Sequence, residues 1–104
     1  MSTDSKLERD FQAKLVKEIK SRFPGSLVMK MDPTNPSIPQ GTPDLLILYK
    51  DKWASLECKK SANANKRPNQ EYRVNQMNEM SFSRFIFPEN KEEVLNELQQ
   101  TFEA

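Results

Sequence analysis

Two acids and a lysine stand at a spacing that could do chemistry. Asp44 closes the run Gly41, Thr42, Pro43, Asp44, and thirteen residues later come Glu57, Cys58 and Lys59. Between them lie an apolar run from Leu45 to Tyr49, a charged turn at Lys50, Asp51 and Lys52, and a second run from Trp53 to Leu56, the pattern of a two-strand hairpin. Side chains alternate along a strand, so Glu57 and Lys59 share one face while Cys58 points the other way, and the antiparallel partner brings Asp44 beside them. Two crowded carboxylates repel unless a cation lies between them. Hard oxygen donors with room left for water and phosphate suit Mg²⁺, or Mn²⁺ in its stead. The lysine could orient or deprotonate a water, or neutralise charge developing on phosphorus. The chemistry so described is metal-dependent phosphodiester hydrolysis.

Pro43, Asp44, the hydrophobic strand and then Glu57, Cys58, Lys59 resemble the PD-(D/E)xK nuclease motif, most closely that of the virus-type replication and repair nucleases and the small Holliday-junction resolvases. Those families carry an acid on the first helix, which Glu8 in Glu8, Arg9, Asp10, Phe11, Gln12 matches, and a glutamine early in the helix after the lysine strand, which Gln70 in Arg67, Pro68, Asn69, Gln70 matches. The match runs from about residue 7 to 87. It implies a restriction-endonuclease-like α/β core with a mixed central sheet flanked by helices. It also implies one or two Mg²⁺ or Mn²⁺ ions held by Glu8, Asp44, Glu57 and the backbone carbonyl of Cys58, with Lys59 positioning the attacking water and Gln70 supporting it. Such small resolvase-like enzymes are usually dimers, so the resemblance implies a homodimer acting on branched DNA, of phage or mobile-element origin.

Composition narrows the alternatives. The chain has no histidine, which removes Ser-His-Asp hydrolases, His-ligated zinc and histidine-based metal nucleases. One cysteine allows neither an internal disulfide nor a thiolate zinc cluster and suits a reducing compartment. Only Gly25 and Gly41 are available, too few for a P-loop or a dinucleotide fingerprint. At 104 residues the chain is expected to be one domain, and with a polar start and no long apolar run it is expected to be cytoplasmic, with no signal peptide or membrane span.

Net charge is +1, but its distribution is uneven. From Lys50 to Arg73 there are seven basic residues and three acidic ones, whereas from Glu89 onward five glutamates face one lysine. Basic character therefore surrounds the candidate site, where a phosphate backbone would lie; charge alone, without the motif, reads first as an unevenly charged solvated surface. Lys60, Lys66, Arg67 and Arg73 are the expected phosphate contacts. They position a strand without reading its sequence, which favours recognition of distorted DNA by shape.

The elements that must position these groups follow from periodicity. Leu7, Phe11, Leu15, Ile19 and Phe23 recur at four-residue steps, predicting a helix over 4–23 that Pro24 and Gly25 stop. Ser5 and Glu8 also match a capping box, so Glu8 is either a cap or a site residue, or both if the helix begins at Thr3. A short strand is expected over 27–31, then a proline-rich, extended and irregular loop over 32–43 that either borders the site or is a stiff crossover. Strands over 44–49 and 53–59 follow, the first apolar enough to be covered on both faces. Asp44 could equally be a turn residue after proline. The polar stretch 61–67 leads to a helix from Pro68 to about Met80 with a ragged face of Tyr72, Met77 and Met80, whose first turn could aim Gln70 and Arg73 at the metal site. Gln70 could also be no more than a polar first-turn residue. A strand over 84–87 and a last helix, capped by Asn90 and carrying Val94, Leu95, Leu98 and Phe102 on one face, complete the order helix, three strands, helix, strand, helix.

Two rival readings keep this fold without the chemistry: a non-catalytic nucleic-acid-binding module, and a small interaction protein whose acids only cap and turn.

Overall fold

The computed structural model describes residues 3–104, a mixed α/β fold with three helices and a four-stranded mixed sheet. The elements are α1 (Thr3–Arg22), β1 (Leu27–Lys30), β2 (Leu45–Tyr49), β3 (Lys52–Cys58), α2 (Pro68–Met80), β4 (Ser83–Ile86) and α3 (Lys91–Glu103), in the expected order. Spatially the strands run β1-β2-β3-β4. The first two pairings are antiparallel, and β3 pairs with β4 in parallel through the α2 crossover.

The charged turn between β2 and β3 narrows to Lys50 and Asp51, with Lys52 already paired to Tyr49. Lys50 takes φ of 57°, the left-handed conformation a two-residue hairpin turn of this hand demands. The register sets Leu45 opposite Leu56 and Ile47 opposite Ala54, and all four side chains are fully buried on the face covered by α1 and α3. Leu15 and Ile19 from α1, Phe23 just after it, and Val94, Leu95, Leu98 and Phe102 from α3 close over them. Phe23, Tyr49 and Phe102 pack ring on ring, with centroids 5.2–5.6 Å apart, at the hairpin-turn end of the sheet.

The opposite face is covered less completely. α2 lies over β3 and β4, held by buried Val74 and by Ser55, which donates to Ser83 at 2.8 Å beneath Met77. Leu46 and Leu48 are therefore only half-buried, and Leu27 and Met29 on the edge strand are exposed, so the expectation that β2 is covered on both faces holds for one face only. Leu7, counted in the apolar stripe of α1, is also exposed. On α2, Tyr72 and Met80 face solvent, and Val74, absent from the expected face, does the packing.

The proline-rich segment is not extended. Its base is closed where Met31 N donates to Asp44 O at 2.8 Å, adding one rung to the β1–β2 ladder. Inside, successive turns bond Asn35 N to Asp32 O, Ile38 N to Asn35 O and Thr42 N to Pro39 O. Asp32 and Asn35 side chains accept from the amides of Thr34 and Ser37, the Asx-turn chemistry that lets short polar residues shape a turn. Prolines fix φ between these turns, so the segment is a wound, compact loop.

Candidate active site

Strand alternation delivers Asp44, Glu57 and Lys59 to the same face of the sheet, at the end remote from the aromatic cluster. Asp44 immediately precedes β2. Glu57 is next to last in β3, and Lys59 follows that strand while its amide still donates to Ile86 O at 2.9 Å. The backbone of Cys58 supplies the lock between strands: its N–H donates to Asp44 Oδ2 at 2.9 Å. The Cys58 side chain points to the opposite face, into the core, and burial together with the nearby acids pushes its thiol pKa strongly up, so it is an inert filler there.

Glu57 is 3% exposed and Lys59 8%. They are 4.0 Å apart, Nζ to Oε2, and Gln70 joins them: Lys59 Nζ donates to Gln70 Oε1 at 2.9 Å, and Gln70 Nε2 donates to Glu57 Oε2 at 3.2 Å. Gln70 Oε1 also accepts from Arg67 N at 3.2 Å, capping α2, so one amide ties the helix start to both groups. A first-turn cap and a site residue were alternatives for this position in the sequence; here one side chain is both.

Burial pushes the carboxyl of Glu57 up to about 8, and the adjacent Asp44 pushes in the same direction against the pull of Lys59. Asp44 is likewise raised by burial, opposed by the Cys58 amide, the Glu57 hydrogen bond and Lys59. Burial and mutual repulsion thus favour one proton held between the two neighbouring acids. Glu8 lies on the rim. Its carboxyl is raised first by burial and then by Asp44, and drawn down by Lys59 and Lys60. α1 is described from Thr3, so Ser5 and Glu8 both lie within its first turns.

Asp44 and Glu57 offer the hard oxygens a divalent ion takes, and two carboxylates that share a proton are a pair a cation can take over. Among the described residues, however, no three acidic, histidine or cysteine side chains converge into a ready-made metal group. Glu8 acts on the pair through its charge, and Cys58 meets Asp44 through its N–H. An ion at this point would be held by Asp44 and Glu57 and completed largely by water and phosphate, as suits Mg²⁺.

Two clefts flank the pair. One, about 270 Å³, lies between the proline-rich loop and the start of α2 and is bordered by Asp44, Arg67 and Asn69. The other, about 330 Å³, is lined by Glu8, Lys59, Lys60, Asn63 and Asn65. Of the expected phosphate contacts, Lys60 and Arg67 border these clefts. Lys66 instead sits over the rings of Phe85 and Phe87, at 5.0 and 5.6 Å, and Arg73 turns from the pair to donate to Gln40 O at 3.3 Å and Gln76 Oε1 at 2.6 Å.

Sequence reasoning passed over Gly41 as a structural residue. Its φ is +81°, and a Cβ built there would lie 2.3 Å from Asn69 O, so only glycine lets the loop meet α2 this closely. A glycine flanked by Gln40 and Thr42 beside two prolines signals a turn, but nothing local reveals the contact with residue 69. Asn63 and Asn65, which line the second cleft, were likewise expected only as part of the polar stretch 61–67. Comparison with protein-family models, with curated proteins and with solved structures gives no match to this chain.

Proposed function

We propose that this chain is a Mg²⁺-dependent endonuclease of the PD-(D/E)xK type, with a restriction-endonuclease-like core, hydrolysing phosphodiester bonds in branched or otherwise distorted DNA. The observation that carries the reading is the convergence of Asp44, Glu57, Lys59 and Gln70 into one hydrogen-bonded cluster beside two clefts. Replacing a buried ion pair by hydrophobic residues is often neutral or stabilising, so the burial of Glu57 and Lys59 together points to a use beyond the fold. Bound Mg²⁺ or Mn²⁺ would polarise the scissile phosphate and lower the pKa of the attacking water.

Around that ion the chain's own groups have defined tasks. Asp44, oriented by the Cys58 amide, and Glu57, oriented by Gln70, present the ligand oxygens. Lys59, steered by Gln70 Oε1, directs its ammonium toward the attacking water or the developing charge on phosphorus. Glu8 adds negative charge at the rim, and Lys60 and Arg67 hold flanking phosphates. A homodimer, with two sites related by symmetry, would suit paired cuts across a junction.

The lack of a preassembled three-ligand group among the described residues favours a second reading, a non-catalytic nucleic-acid-binding module of the same fold. The experiment that separates them is cleavage of linear, nicked, flapped and four-way DNA with and without Mg²⁺, together with Mn²⁺ calorimetry. The nuclease reading requires metal-dependent cleavage that Asp44→Asn, Glu57→Gln and Lys59→Ala each abolish while the fold is retained. Unchanged activity in any of the three removes it.

A further inference from the structure

The two clefts beside the acid pair differ in character, and the difference bears on what kind of strand fits. The cleft that includes Lys59 is polar and basic, lined by Lys60, Asn63 and Asn65, and suits sugar and phosphate. The cleft that includes Asp44 is lined on one side by Met31, Ile38 and Pro39 and on the other by polar groups, among them Thr42, Arg67 and Asn69. Glu57 lies between the two sides, accepting from Gln70 Nε2 at 3.2 Å and 4.0 Å from Lys59 Nζ. A strand whose scissile phosphate rests on the pair therefore has a polar trough on one side and, on the other, a cavity with one apolar wall.

That cavity is preformed. Its outer wall is the wound loop, closed at its base by Met31 and Asp44 and braced against α2 by the approach of Gly41 to Asn69 and by Arg73 on Gln40. At about 270 Å³ it has room for one heterocycle with its sugar. The apolar wall offers contact to the face of a base, the Asn69 amide matches its hydrogen-bonding edge, and the Arg67 guanidinium matches a neighbouring phosphate.

We propose that the cavity between the proline-rich loop and the first turn of α2 is a subsite for one unpaired nucleotide adjoining the phosphodiester held at Asp44 and Glu57. The proposal rests on the nuclease reading for its position, and it narrows the substrate to strands with an unstacked nucleotide next to the cut, as at a bulge, flap or branch point. A fully paired duplex has to unpair a base to fill the cavity, and the energy of doing so lowers its affinity.

The test uses binding, so it does not depend on turnover. A duplex with a single unpaired 2-aminopurine and the same duplex fully paired are titrated with the protein in Ca²⁺, following fluorescence and anisotropy. The expected result is a changed 2-aminopurine signal only for the unpaired base, and binding of that duplex about tenfold tighter or more. Ile38→Trp, which fills the cavity from the loop, brings the two affinities together by weakening the unpaired duplex alone, while Ile38→Ala keeps the preference. Equal affinities with no fluorescence change, or no binding of either duplex, overturn the subsite, and this comparison needs only the unsubstituted chain. Preferential binding without cleavage in Mg²⁺ leaves the subsite standing and overturns the nuclease reading instead; cleavage indifferent to pairing does the reverse.

Discussion

Lys59 Nζ donates to Gln70 Oε1 over 2.9 Å, and that same oxygen accepts from the amide that starts α2. The position of the lysine is thereby tied to the position of a helix. Gln70→Ala removes the cap and both side-chain bonds, which costs roughly 1–2 kcal/mol of stability. It also frees the ammonium from its aim, and a displacement of this kind lowers a rate by about a hundredfold. The expectation is a fall in kcat with little change in KM, measured where the variant is fully folded. Wild-type kcat in Gln70→Ala would show that Lys59 finds its place unaided.

The acid pair predicts how stability follows pH. Glu57 has its folded-state pKa raised from 4.5 to about 8, so its neutral form is the one the fold prefers. Its contribution is fully present below about pH 4.5 and is lost as pH rises through about 8; Asp44 and Glu8, raised for the same reason, act with the same sign. One such group changes stability by at most about 1.4 kcal/mol per pH unit, roughly 6–11 °C in Tm for a domain of this size. Adding Mn²⁺ at pH 8 should raise Tm, because the ion replaces the shared proton and binds only the folded pair. Glu57→Gln should flatten the pH dependence and abolish the Mn²⁺ response together. A Tm that is constant from pH 5 to 9 in the unsubstituted chain contradicts the shared proton.

The extent to which this was legible in the sequence differs between strand and loop. The hairpin registers Asp44 against Glu57 because two apolar runs about a short charged turn are a local signal, and the two-residue period of a strand then fixes which face each side chain takes. The elements follow in the expected order for the same reason. The loop over 32–43 was misread as extended because proline forbids a ladder without saying what replaces it, and the Asx turns that wind it depend on side chains choosing their own backbone. Lys66 and Arg73 were assigned to phosphate by charge alone. Their actual partners, two aromatic rings on one side and a loop carbonyl on the other, come from distant positions that no local pattern reports.

The two glycines allow the docked loop to be tested against a matched control. Both have positive φ, +89° at Gly25 and +81° at Gly41, so alanine strains the backbone at either. Gly25 has no atom within 4 Å of a new Cβ, and Gly25→Ala should cost about 1 kcal/mol from conformation alone. At Gly41 the Cβ would meet the Asn69 carbonyl, and Gly41→Ala should cost about 2–4 kcal/mol and push the loop away from α2. Urea denaturation of the two variants reads the difference. Equal losses would mean that the loop yields freely and does not brace Asp44.

Charge near the site also separates into groups that line the two clefts and groups that pack outside them. Lys60 shares a cleft with Glu8 and Lys59, and Arg67 borders the other cleft. On the nuclease reading each neutralises a phosphate, so Lys60→Ala or Arg67→Ala should lower the slope of log affinity against log salt by about 0.7–0.9. Lys66 hovers over Phe85 and Phe87, where its ammonium is worth roughly 0.5–1 kcal/mol to the fold. Lys66→Ala should therefore reduce thermal stability and leave the salt slope where it was. If the slope falls on losing Lys66 and not on losing Lys60, the strand runs across β4 instead of along the two clefts, and the path drawn from Asp44 to Lys59 is wrong.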